Sequence, residues 1–359
     1  MKIFGKETKK DELMKKIGDI SQLGGIKCYE YSDGLSKGIR AVDLKSPCGI
    51  DMTVLIDRGM DISNLFYRSI PICWRSATRD TSPIFYESRG SEILRSFNGG
   101  LLNTMGLTYM GNPCVDNGEE LGLHGRLSNL SAEKICADGR WDKDNYVMSV
   151  KGKVREAAVY GDKLELSRKI TTWMDIPKIL IEDSVENIGF HNSPIMILYH
   201  INIGYPVLDS SSRLVEGKVK VESLDSESEK GLENFSVFPE PLAEFKPQLF
   251  YHNIDTDNDG NSNIAIINED FNNGEGIGIW IKFKKDNLPY LIQWKYCNLG
   301  EYVCGIEPAN SLIRGRSIER EKGTLKFIKP GEKIDFRVEF NILTSKNDIK
   351  NCIKKICEA

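Results

Sequence analysis

With 359 residues and 40% hydrophobic content, the chain can bury a large core, and its length suits one large β domain or two ordinary ones. A net charge of −4 and a pI near 5.8, with both signs interspersed, provide no basic stripe for nucleic acid or an anionic membrane, so neither partner is expected. No apolar run of about 18 residues occurs, and the opening MKIFGKETKKDELMKK is too charged for a signal peptide, so a cytoplasmic protein is expected. Nine cysteines might suggest disulfides, but they are scattered, odd in number and without a CxxC pair. Reduced thiols are therefore expected, and no zinc site built on cysteine pairs.

Asp11 to Leu23 carries Leu13, Ile17 and Ile20 at helical spacing behind an Asp11 cap, with Gly24 and Gly25 as its stop, which predicts a packing helix. From Gly25 to about Phe66 the pattern changes to short β-like runs, IKCYEY, GIRAVDL, MTVLI and DISNLFY, parted by turn residues. Asp57-Arg58-Gly59 sits between the last two. Arg58 at such a strand end could offer its fixed donors to an oxygen-rich ligand, or brace the turn by pairing with Asp57 or Asp61. FNGGLLNTMGLTYMG, from Phe97, has neither nucleotide-loop spacing, so its glycines are read as sites of close backbone approach. His124 follows in LGLHGRLSN.

Tyr146 to Glu186 alternates again and predicts an antiparallel meander that leads into MILYHINI, where period two gives His200 a definite face. Ser210 to Glu240 is polar and acidic, and an exposed excursion is expected there. The Asp255, Asp257, Asp259, Gly260 spacing resembles a calcium loop without its closing glutamate, so it is read as a hairpin turn. Gly278–Phe283 and Leu288–Trp294 read as another hairpin, Glu307 ends an apolar run just before Pro308, and two strands around Pro330-Gly331 precede a basic tail helix. The expected organisation is a single β domain over 1–359, with residues 1–25 a helical extension and 346–359 a tail. It is all-β: a large antiparallel twisted β-sandwich with short peripheral helices.

His124, His200 and Glu307 are the candidates for chemistry. Two imidazoles and a carboxylate can bind a metal or serve as acid and base, although HxH and HExxH spacings are absent, as is the GxSxG of a serine hydrolase. In the order GLHGRLSNLSAE, LYHINIGYPVL and GIEPAN, these segments resemble the motifs of the aldose 1-epimerase, or galactose mutarotase, superfamily, over roughly Ser32 to Thr344. Ala132 stands where that superfamily often has a tryptophan, and His252 falls where it has a sugar-binding aspartate. The resemblance implies a mutarotase-like supersandwich with a sugar on its concave face, Glu307 as general base, His200 as general acid and His124 as a donor to the ring oxygen. Opening a hemiacetal needs only such an acid and base, so no cofactor and no metal are required. Arg58, Arg95, Arg126, His252, Gln293, Trp294 and Asn310 are candidate substrate-binding residues, Trp294 as an apolar platform. The expected function is that of an isomerase acting on a small-molecule sugar or sugar derivative, an aldose 1-epimerase or a related epimerase. A non-catalytic carbohydrate sensor and a metal-dependent sugar isomerase using His124, His200 and His252 are the alternatives.

Overall fold

The structure, a computed structural model, describes residues 1–358. Its main strands in chain order are β1 Gly25–Glu30, β2 Arg40–Lys45, β3 Ile50–Leu55, β4 Asp61–Tyr67, β5 Ile70–Pro71, β6 Asn103–Leu107, β7 Glu133–Asp142, β8 Asn145–Ala157, β9 Lys163–Trp173 and β10 Lys178–Asn187. They continue as β11 Met196–Ile203, β12 Ser212–Glu216, β13 Val219–Ser223, β14 Gln248–Ile254, β15 Asn261–Asn268, β16 Ile277–Lys284, β17 Tyr290–Asn298, β18 Glu301–Ala309 and β19 Lys333–Leu343. Three antiparallel sheets result: five strands β1-β2-β3-β4-β5, eight strands β7-β8-β9-β10-β19-β16-β15-β12, and six strands β13-β14-β17-β18-β11-β6. This is the expected all-β class.

The six-stranded sheet is buried on both faces, and the alternation along its strands assigns each side chain to one of them. On β11, Ile197, Tyr199, Ile201 and Ile203 join the main core with Val150, Ile170 and Ile181 of the eight-stranded sheet, while Met196 and Leu198 belong to a second apolar cluster on the other side. The same division holds on β17 and β18: Leu291, Cys297, Cys304 and Ile306 face the main core, and Ile292 and Ala309 the second cluster. A polar tie crosses the main core. The Tyr199 hydroxyl donates to Asp183 at 2.7 Å, and Arg168 grips the same carboxylate while also meeting Asp61 at 3.2 Å. All four groups are buried, so their charges must be compensated internally.

Several expectations are corrected. The N-terminal helix is only Lys10–Met14, because Gly18 and Asp19 interrupt it and Asp19 caps a separate 3-10 turn at Ile20–Gln22. Ser210 to Glu240 is no loose excursion: it holds β12 and β13, the edge strands of two different sheets, and buries Ser228 completely. Its acidic run forms a short helix, Ser226–Glu229, capped by Asp225, and a 3-10 turn at Leu232–Asn234, which close back onto the sheet. Strands β16 and β17 are adjacent in sequence but pair in separate sheets, so they are a crossover and no hairpin. Likewise Phe327–Ile328 pairs with Ser193–Pro194, and β19 with β10 and β16. β7 is a strand that sequence alternation did not reveal, since its residues are only exposed or half-buried. The Asp257 carboxylate accepts from the backbone of Asp259 and Asn261 and from the Asn263 amide, as a turn requires. The basic tail helix is Lys346–Cys357, with Ser345 as its cap, and Ala359 lies outside the described residues.

Candidate active site

The face of the six-stranded sheet turned away from the main core carries two of the three candidates. His200 on β11 and Glu307 on β18 come from adjacent strands, and His200 Nε2 lies 3.2 Å from Glu307 Oε1. Gly305 makes room for this pair. A Cβ at that position would stand 2.8 Å from Glu307 Oε1 and 3.2 Å from His200 Cε1, so a side chain there would displace the carboxylate. Phe97, Trp294 and His124 surround the His200 ring, with centroids 5.1, 5.4 and 6.0 Å away.

His124 reaches the pair from a turn outside the sheet. Its backbone takes the left-handed conformation at φ 61, is pinned by donating to the Gly111 carbonyl at 2.9 Å, and accepts from the Gly106 amide at 3.2 Å. The following Gly125 (φ 80) abuts the carbonyls of Tyr109 and Gly106, where a Cβ would collide with backbone. The Nδ1 atoms of both His124 and His200 are buried without a hydrogen-bond partner. An unpaired buried polar atom costs free energy, so this corner of the fold is not arranged for stability alone.

Burial dominates the electrostatics. Desolvation pushes the Glu307 carboxyl up to about 8 and the His124 imidazole down to about 4. It also lowers His200 to about 3, with repulsion from His124 as a further cause. The two imidazoles are thus neutral near pH 7, and Glu307 with His200 forms a unit that retains one proton across the neutral range. A cavity of about 300 Å³ opens above them, lined by the trio together with Trp294, Phe97, Leu249 and Ile313. No group of three or more His, Cys, Asp or Glu residues among those described is arranged to hold a metal ion.

The structure therefore gathers His124, His200, Glu307 and Trp294, and places the other candidates elsewhere. Arg58 is buried beneath the turn and donates to the carbonyls of Ser128, Thr81 and Ser96, pairing with neither Asp57 nor Asp61. Arg95 is exposed and ion-pairs with Glu92. Arg126 acts on Tyr86, Tyr109 and Glu156 and does not line the cavity. His252 and Gln293 face the opposite side of the sheet: His252 Nδ1 lies 2.9 Å from Glu216 and its Nε2 3.1 Å from the Gln293 carbonyl, while the Gln293 amide donates to Phe235. Asn310 ties β18 to the start of β11 by accepting from Ile197 N and donating to Ile195 O. Sequence reasoning missed the apolar wall, including Ile93, Met105 and Leu249. Leu249 reaches the cavity because it lies directly across the strand pair from Trp294, a register that the sequence does not reveal.

Solved structures share this architecture. A Klebsiella pneumoniae protein provisionally assigned as an aldose 1-epimerase superposes with a TM-score of 0.87 at 22% identity, covering 97% of this chain and 90% of its own. A galactose mutarotase-like protein from Clostridium acetobutylicum gives 0.61 at 14% identity, over 89% of this chain and 99% of its own. The galactose 1-epimerase of Lactobacillus acidophilus gives 0.55 at 12%, over 88% and 98%. At these identities the likeness establishes the galactose mutarotase-like fold, which the sequence motifs had implied. No curated protein matches the sequence. A family model does match, over residues 36–342, and the chain accordingly belongs to the family described as Domain of unknown function (DUF4432), built on the galactose mutarotase-like fold.

Proposed function

We propose that this protein interconverts the anomers of a sugar, with Glu307 and His200 as the proton-transfer pair. The observation that carries the reading is the 3.2 Å contact between His200 Nε2 and Glu307 Oε1 at the floor of the cavity. The two oxygens of a hemiacetal share one carbon, so an acid and a base that serve them must sit side by side. In the reactive arrangement the shared proton lies on His200 Nε2 and Glu307 is a carboxylate. Glu307 removes the proton of the anomeric hydroxyl, the C1–O1 bond becomes a carbonyl, the bond from C1 to the ring oxygen breaks, and His200 protonates that oxygen. Rotation about the bond next to the aldehyde followed by the reverse transfers yields the other anomer and restores both groups. Each proton-transfer group contributes ~10² to 10⁴ in rate.

The neutral imidazole of His124 lines the cavity, where it would position the substrate, and the Trp294 ring is a wall for one sugar face. The test is a panel of aldoses followed by exchange NMR between the α and β anomeric signals. Accelerated exchange that disappears in Glu307→Gln and His200→Asn supports the proposal, and sugar binding without acceleration by the wild type would make the protein a carbohydrate-binding module instead.

A further inference from the structure

Around the acid–base pair the cavity is strongly apolar. Ile93, Leu94, Met105, Leu123, Leu249 and Ile313 supply much of its wall, and the polar groups that line it are the side chains of His124, His200, Glu307 and Asn112, the last exposed at the rim, and the indole N–H of Trp294. Of the polar side chains flanking the lining residues, Gln293 is committed to His252 and Phe235, Asn310 to Ile195 and Ile197, and Arg95 to Glu92, while Arg314 lines a separate pocket beside Tyr251 and His252 and Arg126 stays out of the cavity lining. A common aldohexose presents a ring oxygen and five hydroxyls. The trio and the Trp294 indole can serve the ring oxygen, the anomeric hydroxyl and one or two neighbours, which leaves the far side of the ring against hydrocarbon.

We infer that the site selects deoxy sugars, hemiacetals that carry hydrogen or methyl where a common aldohexose carries hydroxyl or hydroxymethyl. This inference rests on the proposed anomer chemistry for the orientation of the ring, because the hemiacetal edge must face Glu307 and His200. A hydroxyl buried against Leu249 or Ile313 without a partner weakens binding on the order of 10-fold or more, whereas a methyl in the same place gains from leaving water. The half-exposed Leu94 stands at the mouth, on the 3-10 turn Glu92–Arg95, where a change of side chain disturbs little packing.

The experiment compares matched pairs, each hexose with its 6-deoxy form in the gluco, galacto and manno series, and each with its 2-deoxy form. Affinity is measured by NMR titration on Glu307→Gln, which keeps the shape of the site, and turnover by anomeric exchange on the wild type. At least one deoxy form should bind about 10-fold more tightly than its parent and show a correspondingly larger kcat/KM. Leu94→Gln and Leu249→Gln, which supply a hydrogen-bonding amide, should each narrow that preference several-fold, and Leu94→Gln tests the point even where Leu249→Gln folds poorly. Equal or tighter binding of every parent hexose, with Glu307-dependent exchange intact, would overturn the selectivity and leave the proposed function standing. Preferential binding of deoxy sugars without exchange would sustain the selectivity and overturn the function. If none of these sugars binds, both are overturned.

Discussion

Replacing Glu307 by glutamine should make the protein more stable, and more so as the pH rises. The carboxyl is buried and titrates near 8 in the folded protein against an ordinary 4.5, so between those values the unfolded chain is ionised where the folded one is not. Because the folded-state value is raised, the stability held by the neutral acid is complete below 4.5 and is lost as the pH climbs toward 8. The interval from 4.5 to pH 7, at about 1.4 kcal/mol per pH unit, is worth roughly 3 kcal/mol. Glutamine keeps the shape and a hydrogen-bonding group beside His200 but does not titrate, so it should recover much of that amount. For a domain of this size the gain corresponds to a Tm rise on the order of 5 °C at pH 7, shrinking toward zero near pH 4.5. Scanning calorimetry of both proteins from pH 5 to pH 8 measures it. A variant that is less stable at every pH, or whose deficit widens above pH 5, would show that Glu307 is an ionised structural carboxylate and would refute the assignment of a shared proton.

Other substitutions separate building from binding. Arg58→Met should lower Tm by several degrees while leaving sugar affinity within about 2-fold, because Arg58 joins three backbone carbonyls away from the cavity; titration of the variant checks this. Arg168→Met strips Asp183 and Asp61 of their buried counter-charge and should cost about 3 to 5 kcal/mol in denaturant unfolding. Gly305→Ala should reduce exchange at least ~10-fold, since its methyl enters the space of the Glu307 carboxylate, with a smaller effect on Tm. Trp294→Ala should raise KM about 10-fold and abolish most of any sugar-induced change in tryptophan fluorescence.

The trio was legible in the sequence because polar residues interrupt otherwise apolar strand patterns. His200 stands out inside a fully buried strand, Glu307 closes another, and His124 lies between glycines on a turn. Periodicity tells which residues share a face but not which face carries the cavity, and this is where the reading ran out. His252 and Gln293 lie one residue out of phase with Leu249 or Tyr251 and with Trp294, so the pleat turns them into the interior, where they bond to each other. Arg58 illustrates a second limit. A guanidinium on a strand-end turn can serve a ligand or three carbonyls, and only the long-range packing of Thr81, Ser96 and Ser128 against it decides. Sheet membership was equally hidden at β16 and β17, where a short connection between two strands carries the chain from one sheet to the other.

The most direct test of the account is the pH dependence of anomeric exchange by the wild-type protein, corrected for the spontaneous reaction, with Glu307→Gln as the control. If Glu307 and His200 act as a buried pair holding one proton, kcat/KM should be flat from about pH 5 to pH 7.5 and fall up to tenfold per pH unit above about 8, where that proton is lost. A rate that instead follows an ordinary imidazole near 6.5, or that is the same in Glu307→Gln, would contradict it.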